Sequence, residues 1–243
     1  MDWITPQWHA PKQVKALAST RIGGFSASPY QGLNLGMHVG DDSILVQRNR
    51  ELLQQQAQMP SAPVWLNQTH STVVAELNQP TSQVPDADGA VTSTPNVVCC
   101  AMTADCLPVL ITNTQGTQVA AVHAGWRGLA GGIVENALAQ FSDDVMLWLG
   151  PAIGPQAFEV GEDVLQAFLD YDSNANKAFT PTGHKGKWWA DMSLLTRLRM
   201  AKIGIDQISD SGLCTYQEPQ RFYSYRRDGV TGRQATFIWI EQN

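Results

Sequence analysis

The chain is 243 residues long, 43% hydrophobic and 16% charged, with a formal net charge of -6. That balance gives no general electrostatic case for nucleic acid or an acidic membrane surface, and no run approaches the roughly 18 apolar residues of a membrane span. The length suits one α/β or large β domain with a sizeable core, and four cysteines are too few for a disulfide framework in a chain of this size.

The opening MDWITPQWHAPK lacks a basic stretch followed by an apolar one, so no signal peptide is expected and the expected compartment is the cytoplasm. Residues 13 to 20 read as a first strand. They run into STRIGGFSASPYQGLNLGMHVGDD, a long loop rich in Gly, Ser and Asn; loops of that length are usually functional or disordered. Arg21 ahead of Gly23 and Gly24, and Asn34 ahead of Gly36, are its notable polar residues. Asp41, Asp42 and Ser43 supply an N-cap for the helix ILVQRNRELLQQQAQ. Ile44, Leu45, Leu52 and Leu53 are compatible with one apolar face. Arg48 and Arg50 point differently and are expected to be solvated. Pro60 and Pro63 end the helix.

VWLNQTHSTVVAEL, 64 to 77, is strand-like around His70. DADGAVTS, 86 to 93, reads as a turn entering another strand. VVCCAMTADCLPVLIT, 97 to 112, is apolar enough for a buried strand or strand pair, with Cys99 and Cys100 as small buried hydrophobes. Pro108 argues for an interruption or an edge near Cys106. Asp105, an acid beside a thiol in an apolar run, is costly unless hydrogen-bonded or near a cation.

The centre of the chain is 101 to 128. A strand from about Cys106 to Thr112 and a second from Val119 to Val122 flank a Gly-containing turn, which sets a thiol and the imidazole of His123 on neighbouring strands. The chain then switches to a helix around Gly125 to Gly128, so His123 ends a strand above a helix N-terminus, where ligands and anions gather. VMLWLGPAIGP follows as a strand and turn, FEVGEDVLQAFLDY as a helix, 172 to 190 as irregular chain, and MSLLTRLRMAKIG as a helix closed by Gly204. RFYSYRRDGVTGRQATFIWI reads as a terminal hairpin, with Asp228 and Gly229 in its loop. On a regular strand Arg226 and Arg227 would face opposite sides. The whole is expected to be one domain, 1–243, of mixed sheet and flanking helices.

His70, Cys106 and His123 are the residues with chemistry. Their spacing is not that of a zinc finger, and dispersed Cys and His ligands fit a catalytic zinc site with an open position. The same residues fit a Cys/His nucleophile pair. Both readings stay open on residue type alone, as does a non-catalytic metal or nucleotide sensor.

STRIGG, LNLG, NQTHS, TADCLPVL, HAGWRG, GPAIGP and SYRRD occur in that order from about Ser19 to Ile240. With them the chain resembles the laccase-domain family, also called YfiH-like or multicopper-polyphenol-oxidase-like. The resemblance implies an α+β single-domain fold with mixed sheets, similar to cysteine-hydrolase-like toxin domains. It implies a zinc-dependent purine nucleoside phosphorylase acting on adenosine, inosine, guanosine or methylthioadenosine, with adenosine deaminase activity. It puts the zinc ligands on His70, Cys106 and His123, which also serve catalysis, with Asp105 as the nearest candidate acid or base. Arg21, Asn34, Arg50, Tyr225 and Arg226 become candidates for substrate and phosphate, Arg226 favoured by SYRRD. The partners are purine nucleosides and phosphate, not nucleic acid or membrane, on a monomer or weak homo-oligomer. Two alternatives accompany this reading: a Cys-dependent amidohydrolase editing a cell-wall precursor, and a copper-associated polyphenol oxidase. A four-copper laccase does not fit five histidines, because each copper centre needs several imidazoles; a single copper substituting for zinc does fit. H-x-E with P-C-x-x-C, the usual zinc deaminase signature, is absent.

Overall fold

The computed structural model describes residues 1–242, so Asn243, the last residue of the expected domain, lies outside the described residues. In chain order the elements are β1 (Trp3–Ile4), β2 (Val14–Ser19), α1 (Ser43–Gln56), β3 (Val74–Glu76), β4 (Gly89–Thr92), β5 (Cys99–Thr103), β6 (Leu107–Asn113) and β7 (Val119–Ala124). There follow α2 (Trp126–Gly131), α3 (Ile133–Leu138), β8 (Val145–Leu149), β9 (Glu159–Gly161), α4 (Glu162–Leu169), β10 (Phe179–Pro181), β11 (Lys187–Ala190), α5 (Met192–Lys202), β12 (Ile208–Asp210), α6 (Tyr225–Asp228) and β13 (Gln234–Ile240).

A six-stranded sheet runs β12-β8-β6-β7-β4-β3, and a four-stranded sheet runs β1-β2-β13-β5. The sheets stack because their central strands carry apolar side chains on both faces. On β6, Val109 and Ile111 face Leu129, Ile133 and Val134 of the helical layer, whereas Leu110 faces the four-stranded sheet. On β13 the alternation repeats: Ile238 and Ile240 pack toward the six-stranded sheet, and Phe237 and Trp239 pack with Leu53 of α1. The result is four layers: helices, six strands, four strands, and α1. It is a mixed α+β fold, since β3–β4 and β8–β12 pair parallel and the remaining pairs are antiparallel. Among the described residues no helix is long and apolar enough to cross a membrane.

The hairpin of β6 and β7 stands as expected, with Pro108 opposite His123. Pro108 is not at an edge, because β6 is flanked by β7 and β8. The expected interruption falls just before it, where Asp105 takes a positive φ of 96°. α1 is capped by Asp42, whose carboxylate accepts from Ile44 N at 2.8 Å. Its buried stripe is Val46, Asn49 and Leu53, not a face including Ile44, which is 70% exposed.

Three further expectations are corrected. His70 does not lie on a strand. Only Val74–Glu76 of the 64–77 run is a strand, because the backbone N–H groups around His70 bond a side chain instead of a ladder. Residues 172–190 are not irregular: β10 and β11 form a small sheet with β9. The terminal hairpin does not exist. Ser224 caps a helical turn by accepting from Arg227 N, and β13 inserts between β2 and β5 rather than pairing with the chain just before it. Arg226 and Arg227 therefore lie on α6, and opposite faces of a strand do not apply to them.

Candidate metal centre

Two loops and one strand end meet at one end of the six-stranded sheet, beside its central strands. β7 delivers His123, which is 4% exposed. The turn between β5 and β6 delivers Cys106, half-buried. The loop before β3 delivers His70, whose backbone has a left-handed φ of 62°. One ligand atom from each of the three lies within 4.8 Å of the others, and the imidazoles meet edge to face at 4.8 Å between ring centroids. Cys106 Sγ lies 3.6 Å from His70 Nε2. A tetrahedral metal at about 2.3 Å from sulfur and about 2.0–2.1 Å from nitrogen puts those two atoms roughly 3.5 Å apart. The donor set and its spacing thus fit a zinc-type ion with one position left open, and they can hold a metal.

Asp88 organises the ligands. It is fully buried. One oxygen accepts from His123 Nδ1 at 2.8 Å and His70 N at 3.0 Å; the other accepts from Thr69 N, Ser71 N and Ser71 Oγ. The bond to Nδ1 fixes the imidazole and turns Nε2 toward Cys106, the arrangement that metal-ligating histidines commonly show. Burial pushes the Asp88 carboxyl up, but the hydrogen bonds from His123 and Ser71 outweigh it and hold the group well below the usual carboxylate range. Burial likewise raises the Cys106 thiol, and the charge and hydrogen bond of His123, with His70, bring it down to about 6. His123 is lowered by burial and raised more by Cys106 and Asp88, to about 9. A thiolate is the form that a metal binds.

Gly125, in HAGWRG, makes the close approach possible. A Cβ there would sit 2.5 Å from His70 Cδ2 and 3.2 Å from Cys106 Sγ. It also opens α2 directly after β7.

Asp105 precedes Cys106 and does not face the ligands with a free carboxylate. Its oxygens accept from Thr215 Oγ1 at 2.7 Å, Ser224 Oγ at 3.0 Å and Arg226 N at 2.7 Å. The hydrogen-bonding that the sequence required of this acid is met, and it fastens α6 beside the thiol. Arg226 is exposed, donates from Nη1 to Glu159 O at 2.8 Å and lies over the Phe158 ring. Tyr225 is 61% exposed at the same rim. The other three candidates are engaged with nearby backbone and side chains. Arg21 donates to Pro219 O and Gln31 O and stacks on Tyr223. Arg50 is not solvated: Nε and Nη2 both donate to Leu35 O, and its guanidinium lies 3.7 Å from the Trp65 ring centroid. Asn34 is fully buried and bonds Asp41 and the backbone of Gly36 and Arg233.

Sequence reasoning overlooked Asp88, Ser224 and Arg233, and read Gly125 only as the opening of a helix. DADG carried a signal for Asp88, since a buried strand beginning at Gly89 leaves the preceding acid needing several donors. Nothing local signals Arg233.

All four cysteines are free. Cys99 and Cys100 are buried, and burial pushes the Cys100 thiol up to about 12. Cys100→Ala should keep full metal content and activity within about two-fold of the parent, with a stability loss of about 1 kcal/mol from the vacated sulfur. Loss of turnover in folded, metal-loaded Cys100→Ala would mean that Cys106 is not the reactive thiol.

Fold and site together define an α+β protein with an open, carboxylate-braced Cys/His centre that could hold a metal ion. The model of the family described as multi-copper polyphenol oxidoreductase laccase matches residues 15–241, and the chain belongs to that family. It is 50% identical to the purine nucleoside phosphorylase YfiH of Shigella flexneri and 49% identical to that of Escherichia coli (strain K12), over 98% of this chain and 98% of each relative. The crystal structure of a Neisseria meningitidis protein described as DUF152 superposes with a TM-score of 0.93 at 47% identity, over 100% of both chains.

Proposed function

We propose that this chain, as one domain of residues 1–243, is a zinc-dependent purine nucleoside phosphorylase. Its substrates are adenosine, inosine, guanosine and methylthioadenosine with inorganic phosphate, and it also deaminates adenosine at the same centre. The observation that carries the reading is end-to-end identity of about half with relatives named for phosphorolysis, joined to a metal-ligand set with an open side. In phosphorolysis a phosphate oxygen bonds to ribose C1′ and the bond from C1′ to the purine nitrogen breaks. The electron pair leaves with the base, which takes up a proton. In deamination water adds at the purine C6 and ammonia leaves. A zinc ion held by His70, Cys106 and His123 would supply Lewis acidity to such a step.

The protein's own groups divide the remaining work. Asp88 orients His123 and the His70 loop. Asp105 acts by holding α6, and with it Tyr225 and Arg226, at the mouth of the centre. Arg21, Asn34 and Arg50 support the substrate side by fixing loop backbone. The net charge of -6 favours small-molecule partners over nucleic acid or membrane, and four free cysteines suit a reducing cytoplasm. The protein works as a monomer or weak homo-oligomer.

The test is product analysis of a nucleoside panel on zinc-loaded protein, with and without phosphate. Adenosine should give adenine and ribose 1-phosphate only when phosphate is present, and inosine should form whether or not it is. Free ribose as the sole sugar product, at a rate indifferent to phosphate, would make the enzyme a hydrolase. In Arg226→Ala, phosphorolysis should fall about ten-fold, the scale of one charge-assisted hydrogen bond, and deamination should change less because no anion takes part. Equal losses would leave Arg226 a purely structural role.

One feature favours a second reading. Against burial, His123 draws the Cys106 thiol down while Cys106 and Asp88 draw His123 up, the electrostatics that would suit a thiolate nucleophile in a Cys-dependent amidohydrolase acting on a cell-wall precursor. Turnover that survives chelation and dies on alkylation of Cys106 would select it. The family description suggests a copper-associated polyphenol oxidase; copper binds such ligands more tightly than zinc, and oxidation of a phenol by copper-loaded but not zinc-loaded protein would select that.

A further inference from the structure

We propose that Arg233 holds the phosphate co-substrate beside the metal centre, and that the LNLG motif, Leu33 to Gly36, exists to aim it. The proposal rests on the phosphorylase reading and assigns to its second substrate a residue that sequence reasoning did not single out.

LNLG grips the backbone of Arg233 at both its N–H and its carbonyl. Asn34 Oδ1 accepts from Arg233 N at 2.8 Å and from Gly36 N at 3.0 Å, and Leu35 N donates to Arg233 O at 3.0 Å. Asn34 is fully buried, and its Nδ2 donates to Asp41 Oδ2, which keeps Oδ1 turned to this bracket. Gly36 provides the groove for the stem: a Cβ at 36 would lie 2.8 Å from Arg233 Cγ and 3.2 Å from its Cβ. A side chain at 36 would therefore displace the arginine.

The guanidinium so placed is only partly used. Nη1 donates to Thr231 O at 3.1 Å and Gly232 O at 3.0 Å. Among the described residues Nε and Nη2 have no hydrogen-bond partner and no carboxylate lies within ion-pair distance. The exposed or half-buried Arg197, Arg221 and Arg227 all have such a carboxylate. A half-buried cation without a counter-ion is costly unless an anion arrives to meet it. The site is beside the metal ligands: the guanidinium carbon lies 5.9 Å from the Tyr225 ring centroid, and the charges of Cys106 and Asp105 act on it. Arg50 and Arg233 together depress the basicity of His38, after burial itself, so positive charge gathers on this side of the centre. Asp105 makes no direct hydrogen bond to it, since its oxygens already accept from Thr215, Ser224 and Arg226. Arg50 and Arg21 have turned their forks to backbone carbonyls, and Arg226 gives Nη1 to Glu159 O, which leaves it a single further contact at the rim rather than the main phosphate fork.

Nε–H and Nη2–H form the fork that matches two oxygens of a phosphate. Held so, phosphate keeps another oxygen free to bond to ribose C1′ while the purine leaves with the electrons of the broken bond. No proton leaves the arginine.

The test uses zinc-loaded Arg233→Met, which keeps a stem over Gly36 and removes the charged head. The KM for phosphate in adenosine phosphorolysis should rise roughly ten- to a hundred-fold, with zinc content unchanged and phosphate-independent deamination within about two-fold of the parent. Binding of inorganic phosphate followed by phosphorus NMR, which needs no turnover, should weaken by a similar factor. Gly36→Ala should move both readouts in the same direction by less. Should Arg233→Met fail to fold, Arg233→Lys keeps a charge but loses the fork, and its phosphate affinity should still fall several-fold. Unchanged phosphate KM and unchanged phosphate binding in either Arg233 variant would overturn the assignment and leave the phosphorylase reading intact. Arg233-dependent phosphate binding in a protein that yields no ribose 1-phosphate would instead support the assignment while removing that reading.

Discussion

Cys106→Ser should purify with less than about a tenth of the parent's zinc and lose phosphorolysis and deamination together by roughly a thousand-fold. Serine is nearly isosteric, but its hydroxyl stays protonated where a thiolate is the metal-binding form. Lewis acidity of a bound metal contributes several kcal/mol to a polar transition state, and about 4 kcal/mol corresponds to that rate factor. The fold should survive, because Cys106 is only half-buried and its backbone is held through Asp105. Elemental analysis and the two product assays read the result directly. A Cys106→Ser protein with one zinc per chain and near-parental rates would falsify the ligand assignment.

Asp88→Asn should be nearly as damaging by a different route. The carboxylate receives His123 Nδ1 and His70 N on one oxygen, and Thr69 N, Ser71 N and Ser71 Oγ on the other. An amide presents NH2 at one of those positions, so donors meet a donor in a fully buried place whichever way it is turned. Leaving buried donors unmet costs about 1–3 kcal/mol each, so a loss of roughly 3 kcal/mol is expected, or about 6–12 °C in Tm for a chain of this size. Zinc affinity should fall roughly ten- to a hundred-fold as His123 loses its brace. Chelator competition at a temperature where the variant is folded separates the two effects. Normal zinc affinity in the folded variant would mean that Asp88 serves the loop alone.

The hairpin of β6 and β7 and the turn into α2 were legible because their signals are local. Apolar runs of strand length flank a Gly-containing turn, and a Gly-rich stretch then opens a helix. Such runs also placed His123 on β7 and brought Cys106 next to it, although Cys106 sits in the turn just ahead of β6 and not on the strand. His70 was harder: its β-branched flanks suggest a strand, but Asp88, 18 residues away, takes its N–H. A distant carboxylate that outcompetes a ladder leaves no periodicity to read. The aromatic runs on either side of Asp228 imitate a hairpin for the same reason. What decides their fate is Ser224 as a cap, Asp105 as an acceptor, and the gap between β2 and β5 that β13 fills. Asn34 and Gly36 were visible as unusual residues, yet their partner Arg233 lies 199 residues further on.

The position of β13 bears on when, during synthesis, this centre could first take up an ion. β13 lies between β2 and β5, and Ala235 N bonds Ser19 Oγ across 216 residues. The turn carrying Cys106 is secured by Thr215, Ser224 and Arg226, more than a hundred residues downstream. Closing such long loops is entropically unfavourable and slow. A ribosome-bound chain still missing its last strand therefore has all three ligand side chains but not the geometry that brings them together. Under the zinc reading proposed above, metal acquisition belongs to the released, fully threaded molecule, and zinc added to stalled nascent chains should find only weak, unstructured thiol and imidazole sites.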